Sequence, residues 1–221
     1  RNAFCAAPVL VAKQHLEQCR AENRSPRFWL INTGNANAGT GEAGLRDARA
    51  SCVELAKQAG VSEQDVLPFS TGVIGEPLPM ERLLAGLAAA LESMASDSVA
   101  WEHAGQGILT TDTRAKGASV TVEIGNQQVT INGITKGSGM IKPNMATMLG
   151  FVVTDATIEA PLLDRLLRET VDRSFNCITV DSDTSTNDAC MLAATGTGPR
   201  IADEEQIAVF SNALQRVMTE L

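Results

Sequence analysis

Apolar and polar positions along the 221 residues switch between two spacings, and the switching predicts helices interleaved with strands. Residues 8–19 repeat apolar side chains at helical spacing behind Pro8, a residue suited to a first helical turn. The apolar run 28–31 reads as a strand, and 32–44, rich in Gly and Asn, as a long loop. Helical spacing returns over 42–59 and stops at Gly60, a C-cap signal. A strand is expected at 66–69, running into Ser70-Thr71-Gly72. An Ala/Leu-rich helix follows at 80–94 and a short strand at 108–111.

Residues 119–124 and 127–134 alternate in character around Gly125-Asn126, which predicts a β-hairpin. Beyond it the pattern predicts a strand at 148–154, a helix at 161–175, strands at 178–180 and 189–195, and a helix from 204 to 221. A hairpin combined with strand–helix alternation points to a layered α/β sandwich with a mixed sheet. No internal repeat or low-complexity tract occurs, and no domain boundary stands out.

Composition changes this picture little. Hydrophobic residues at 44% and charged residues at 20% suit a globular domain. A net charge of −8 argues against non-specific nucleic-acid binding, which depends on phosphate neutralisation by Lys and Arg. The cysteines at 5, 19, 52, 177 and 190 form no close pair, so free, mostly buried thiols in a reducing compartment are expected. With only His15 and His103 available, neither a metal site nor a cofactor is anticipated. No apolar run is long enough to span a bilayer and no signal peptide is visible, so a cytoplasmic location is expected, with neither membrane nor nucleic acid as partner. Arg1 is not a natural start, and the last helical pattern is still running at Leu221; both ends read as cut from a longer protein.

Chemistry concentrates in Lys136-Gly-Ser-Gly-Met-Ile-Lys-Pro-Asn-Met-Ala146-Thr147-Met-Leu-Gly150, where a polar, Gly-rich stretch leads into an apolar strand. A hairpin exit loop before a core strand would look similar. The sharper reading makes Thr147 a nucleophile. A Thr hydroxyl needs a neighbouring base, and a Thr that starts a chain has its own α-amine. Cutting the Ala146–Thr147 bond would supply that amine: the hydroxyl attacks the Ala146 carbonyl, and water hydrolyses the resulting ester. The tetrahedral intermediate needs hydrogen-bond donors, and the run 69–75, with Thr71 and Gly72, could supply them where a strand ends. An ordinary strand-to-loop turn has the same composition. Thr110-Thr111-Asp112-Thr113 ends the strand expected at 108–111, where substrate contacts or a cap are equally apt. Lys136 could hold a substrate carboxylate as a point charge, or be merely solvated.

Two further patterns compete. Gly39-Thr-Gly41-Glu-Ala-Gly44 fits the GxGxxG spacing of a dinucleotide fingerprint, which keeps a nucleotide-binding module as an alternative of another class. Its first glycine, however, lies several residues past the expected strand end. The run 181–188, rich in Asp, Ser and Thr, hints at calcium, but Thr186 stands where an EF-hand requires Gly and Leu192 where it requires Glu. A network of side-chain turns is the better reading.

Taken together, these segments resemble the ornithine acetyltransferase family of arginine biosynthesis, also called bifunctional glutamate N-acetyltransferase. The resemblance rests on residues 1–8, 32–37, 70–75, 110–112, 136–150 and 179–188, in the family's order, and 136–150 is the specific part. It implies a self-cleaving enzyme with an α-chain part at 1–146 and the start of a β chain at 147–221, both incomplete. Thr147 would take the acetyl group of N2-acetyl-L-ornithine and pass it to L-glutamate in a ping-pong cycle. Thr71 and Gly72 match the oxyanion-stabilising pair, and Thr110, Lys136 and Thr147 match substrate-binding positions. The resemblance also implies α and β chains that stay associated, a dimer of αβ units, and in some family members acetyl-CoA as a further acetyl donor. The nearest alternative is a related N-terminal-nucleophile aminopeptidase or amidohydrolase, which would use water as acceptor.

Overall fold

The computed structural model describes residues 4–141, 148–181 and 183–221. The chain forms two compact units, one over residues 2–103 and the other over 104–221.

In the first unit, helix α1 (Ala7–Ala21) leads to strand β1 (Phe28–Asn35), helix α2 (Gly41–Ala59) and strand β2 (Val66–Val73). The two strands pair in parallel from Phe28↔Val66 to Gly34↔Gly72. Helix α3 (Met80–Glu92) follows. Val11, Cys52, Leu55, Val66 and Leu87 are buried in one cluster that joins the three helices to β2. His15 belongs to this interior, with Nδ1 2.8 Å from the Val66 carbonyl oxygen. Both strands run further than their own apolar residues predict, because pairing and not apolar character sets their ends. Residue-by-residue pairing carries β1 through Asn32–Asn35 and β2 through Ser70–Val73, so the 32–44 loop begins later than its composition suggests.

Helix α4 (Ser98–Gly107) was not predicted; its ten residues include two glycines and little amphipathic pattern. The one local signal is Asp97, whose carboxylate accepts the Ala100 N–H at 2.8 Å as an N-cap would. The strand expected at 108–111 does not form. That segment is the turn leaving α4, where Leu109 N–H donates to the Gln106 carbonyl at 3.2 Å.

The second unit is built on a four-stranded sheet in the order β3-β4-β5-β6. The hairpin pairs β3 (Lys116–Ile124) with β4 (Gln127–Lys136), and Gly125 and Asn126 both take positive φ, 60° and 63°, as a two-residue turn requires. Strand β5 (Leu149–Thr154) is antiparallel to β4 and parallel to β6 (Ala189–Ala194), so the sheet is mixed, as expected. Helices α5 (Ala160–Asp172) and α6 (Glu204–Glu220) share one hydrophobic cluster with Val120, Val129, Ile131, Val152 and Leu192. Asp203 caps α6 by accepting the Gln206 N–H at 2.8 Å. Residues 178–180 do not form the expected strand. The N–H groups of Val180 and Asp181 both converge on the Ile141 carbonyl, at 2.9 and 3.0 Å, instead of alternating along a partner.

Of the five thiols, Cys19 and Cys52 are buried, Cys5 and Cys190 half-buried and Cys177 exposed. Burial pushes the Cys52 and Cys190 thiols up to about 12. No helix among the described residues is long and apolar enough to cross a membrane.

Phe210 on α6 is 0% exposed within the cluster shared by α6 and the sheet. Phe210→Ala is expected to destabilise the fold by about 3–5 kcal/mol through lost transfer energy and the cavity left behind. Val53→Ala, on an exposed part of α2, should stay within about 0.5 kcal/mol. Denaturant unfolding of the two variants beside the parent checks both.

Candidate functional site

Thr71 and Gly72 lie in the first unit, within β2 and not at a turn after its end. Thr71 is buried opposite Thr33 of β1, and Gly72 stands opposite Gly34. The reason for glycine at 72 is the neighbouring strand. Its φ is +135°, and a Cβ there would come within 2.2 Å of the Gly34 carbonyl carbon and 2.5 Å of the Asn35 nitrogen. Beside it, the Ser70 hydroxyl donates to Asn32 Oδ1 at 2.5 Å. An open groove of about 550 Å³ runs along these strands past Asn32, Val73 and Arg82; neither Thr71 nor Gly72 lines it.

The glycine pattern at 39, 41 and 44 has a packing explanation. The buried Asn37 donates from Nδ2 to the Gly44 carbonyl at 2.9 Å and accepts the Thr40 hydroxyl at 2.8 Å. Asn35 Oδ1 in turn accepts the Asn37 N–H at 2.7 Å. A Cβ on Gly44 would meet Thr40 Oγ1 at 1.9 Å. These side chains fill the first turn of α2 themselves, where a dinucleotide fingerprint would leave the backbone bare for a pyrophosphate.

In the second unit the structure gathers Thr110, Asp112, Lys116 and Lys136. Lys136 ends β4, and its side chain is 3% exposed. Nζ donates to the Thr110 hydroxyl at 2.7 Å and lies 3.8 Å from Asp112 Oδ2. Asp112 is more enclosed still, with a side chain 1% exposed. Its Oδ1 accepts Lys116 Nζ at 2.5 Å and the Gly137 N–H at 2.7 Å. Oδ2 has no hydrogen-bond partner among the described residues. Burial raises the Asp112 carboxyl, but the hydrogen bonds from Lys116 and Gly137 and the two lysine charges outweigh it and hold the group below the usual carboxylate range. Burial dominates at Lys136 and lowers its ammonium from the ordinary lysine value, with Asp112 and Asp188 opposing the shift and Lys116 adding to it. Lys136 is thus neither solvated nor a lone charge. It is one member of a buried polar group set by the β3–β4 hairpin and the turn after α4. Thr110 lies in that turn and not at a strand end.

The register of β4 and β5 places Lys136 opposite Leu149. Ala146 and Thr147 lie outside the described residues; Met140 and Met148, which precede and follow them in the chain, are each held by a carboxylate of the 181–188 run. On one side, the Asp181 carboxylate accepts the Met140 N–H at 2.7 Å. On the other, Asp188 Oδ1 accepts the Met148 N–H at 3.0 Å. Within the segment, Asn187 N–H donates to Ser185 Oγ at 3.0 Å and Thr186 Oγ1 to Asn187 Oδ1 at 2.6 Å. The expected turn network is present, and its end carboxylates reach out of the segment. The sequence pattern gives Asp181 and Asp188 no role beyond membership of the run; acidic residues bounding a turn-rich stretch are the signal for one. No group of three or more His, Cys, Asp or Glu able to hold a metal ion occurs among the described residues.

The two units define a mixed α/β protein. The chain belongs to the ArgJ family, whose pattern matches residues 1–221. The arginine biosynthesis bifunctional protein ArgJ of Methylococcus capsulatus is 52% identical over 224 residues, covering all of this chain and 53% of that protein. The protein of the same name from Pseudomonas syringae pv. tomato is 48% identical over 220 residues, covering 100% of this chain and 52% of that one. The chain therefore spans about half the length of these curated relatives. Among solved structures, the arginine biosynthesis bifunctional protein ArgJ of Bacillus halodurans is 35% identical, with a TM-score of 0.56 over 67% of this chain and 73% of that one. The ornithine acetyltransferase of Mycobacterium tuberculosis, solved in complex with ornithine, is 33% identical, with a TM-score of 0.55 over 65% and 73%.

The Asp112 carboxyl yields a pH prediction. Its folded value is lowered, so the stability it contributes is fully present above the unfolded value near about 3.9 and is lost as pH falls through the lower folded value. Asp112→Asn should flatten the acid limb of unfolding in that window. Unfolding midpoints of both proteins between neutral and strongly acidic pH test this; parallel curves would remove Asp112 as the source.

Proposed function

We propose that the full-length protein is a self-cleaving acetyltransferase that moves the acetyl group of N2-acetyl-L-ornithine to L-glutamate through an acetyl-Thr147 intermediate. The observation that carries this reading is the run 136–150 with its Ala146–Thr147 junction, in a chain of the ArgJ family. In processing, the Thr147 hydroxyl attacks the Ala146 carbonyl. The acyl group shifts from nitrogen to oxygen, and water hydrolyses the ester, leaving an α-chain carboxylate at 146 and a free α-amine on Thr147. That amine then takes the hydroxyl proton as Thr147 attacks the acetyl carbon of N-acetylornithine. Ornithine leaves with the proton, and glutamate attacks the acetyl ester in the second half-reaction.

Thr71 and Gly72 are assigned the oxyanion, Thr71 through its hydroxyl. Lys136 and Thr110 are assigned the substrate, with the Lys136 ammonium meeting the α-carboxylate that both substrates carry. The burial of Lys136 beside Asp112 supports this role, because a partly desolvated cation attracts a carboxylate more strongly than one in water. The α and β chains remain together and associate as a dimer of αβ units in the cytoplasm, without metal or cofactor. Acetyl-CoA acts as a second donor if the protein is of the two-activity kind. Transfer to glutamate separates this reading from a related amidohydrolase, which would release free acetate.

Intact-mass measurement of the full-length protein tests the central step: two pieces are expected, the second beginning at Thr147, and Thr147→Ala should remain whole. Cleavage of that variant at the same bond would exclude Thr147 as the attacking group. Thr71→Ala should lower kcat by about 10²–10³-fold with KM nearly unchanged, as loss of one oxyanion donor does. Lys136→Met, which keeps the buried stem, should raise KM for both N-acetylornithine and glutamate while self-cleavage proceeds; an effect on one substrate alone would assign their carboxylates to different groups.

A further inference from the structure

The hydrogen-bonded ladder of β5 begins at Leu149, paired with Lys136 on one side and Ala189 on the other. The Thr135 hydroxyl also donates to the Leu149 carbonyl at 2.9 Å. Met148 precedes that ladder, yet both of its backbone groups are engaged. Its carbonyl accepts the Ala189 N–H at 3.2 Å, and its N–H donates to Asp188 Oδ1 at 3.0 Å. A side-chain carboxylate thus does for Met148 what a ladder partner does for the residues after it. It extends the fixed backbone one peptide unit further, to the residue that follows Thr147 in the chain. Asp188 directly follows the side-chain turns of Ser185, Thr186 and Asn187 and directly precedes β6. Its charge also favours the protonated form of Lys136.

We propose that Asp188 is a positioning residue for self-cleavage and acetyl transfer, acting through its hydrogen bond to the Met148 N–H. The proposal rests on Thr147 being the nucleophile. The physical argument is one of alignment. In the first step the hydroxyl of Thr147 must reach the carbonyl carbon just before it, and in the second it must meet a bound substrate. Both require a fixed backbone at 147–148, and a displacement of about 1 Å costs roughly 10²-fold in rate. Acting through the Met148 N–H, Asp188 should show its effect in kcat and in processing and not in KM.

The test uses full-length protein carrying Asp188→Asn or Asp188→Ala, with processing followed by intact mass, kcat and KM measured on the processed fraction, and the unfolding midpoint taken for each. Asn keeps an oxygen that can accept the Met148 N–H; Ala does not. Asp188→Ala is expected to slow processing and lower kcat by roughly 10²-fold at nearly constant KM, and Asp188→Asn to restore most of both at a similar midpoint. The inference is overturned if Asp188→Ala processes at the parent rate, if Asp188→Asn is as impaired as Asp188→Ala, or if the losses simply follow a fall in midpoint. Thr147→Ala is run in parallel. Its cleavage at 146–147 would overturn the nucleophile assignment and this inference together, whereas an intact Thr147→Ala beside a normally processing Asp188→Ala overturns this inference alone.

Discussion

The Asp112 carboxylate has almost no access to water, and an anion so placed must be surrounded by donors and cations or be neutralised. It collects them from three places in the chain: Lys116 at the start of β3, the Gly137 N–H just past the end of β4, and the Lys136 ammonium. These ties fix the turn after α4 against the open end of the hairpin. Thr110 is thereby carried to within hydrogen-bond distance of Lys136. The polar group on which substrate binding is proposed to depend exists because one buried charge needs company.

Periodic segments were legible in the sequence because their signals are local. The strand read at 127–134, which the structure extends to Lys136, its hairpin turn and the helix capped by Gly60 each declare themselves from their own residues. Segments whose state is decided by a distant partner were not. Residues 70–73 are strand only because β1 runs beside them, and 178–180 are not strand because two N–H groups share the Ile141 carbonyl. The apolar residues of 178–180 indicated a strand, but apolar character alone supplies no ladder. Helix α4 escaped notice for the opposite reason, since its periodicity is weak and its cap lies in a single aspartate.

The site divides in the same way. Lys136 and Thr110 could be named from the motif, but their burial and mutual contact could not, since these depend on Asp112 folding beneath them. At Gly72 the residue was singled out for its amide, whereas the structure gives a steric reason in the approach of Gly34. The two reasons are compatible: a backbone drawn tight against its neighbour is also a rigid one. Asp188 was hidden within a run of turn-forming residues, and only the direction of its carboxylate distinguishes it.

The sheet order β3-β4-β5-β6 puts the proposed cut between two central strands. Strands β3 and β4 precede residue 146, β5 and β6 follow it, and β4 and β5 are joined edge to edge along six residue pairs. Once the peptide bond is broken, those ladder bonds link two separate polypeptides while the sheet remains one object. Folding of the precursor is then a unimolecular event, but reassembly of the denatured mature pair is a bimolecular one. Its yield depends on protein concentration, and unfolding followed by dilution scatters the halves. The molecule would acquire its catalytic amine by giving up the covalent link that lets it refold alone.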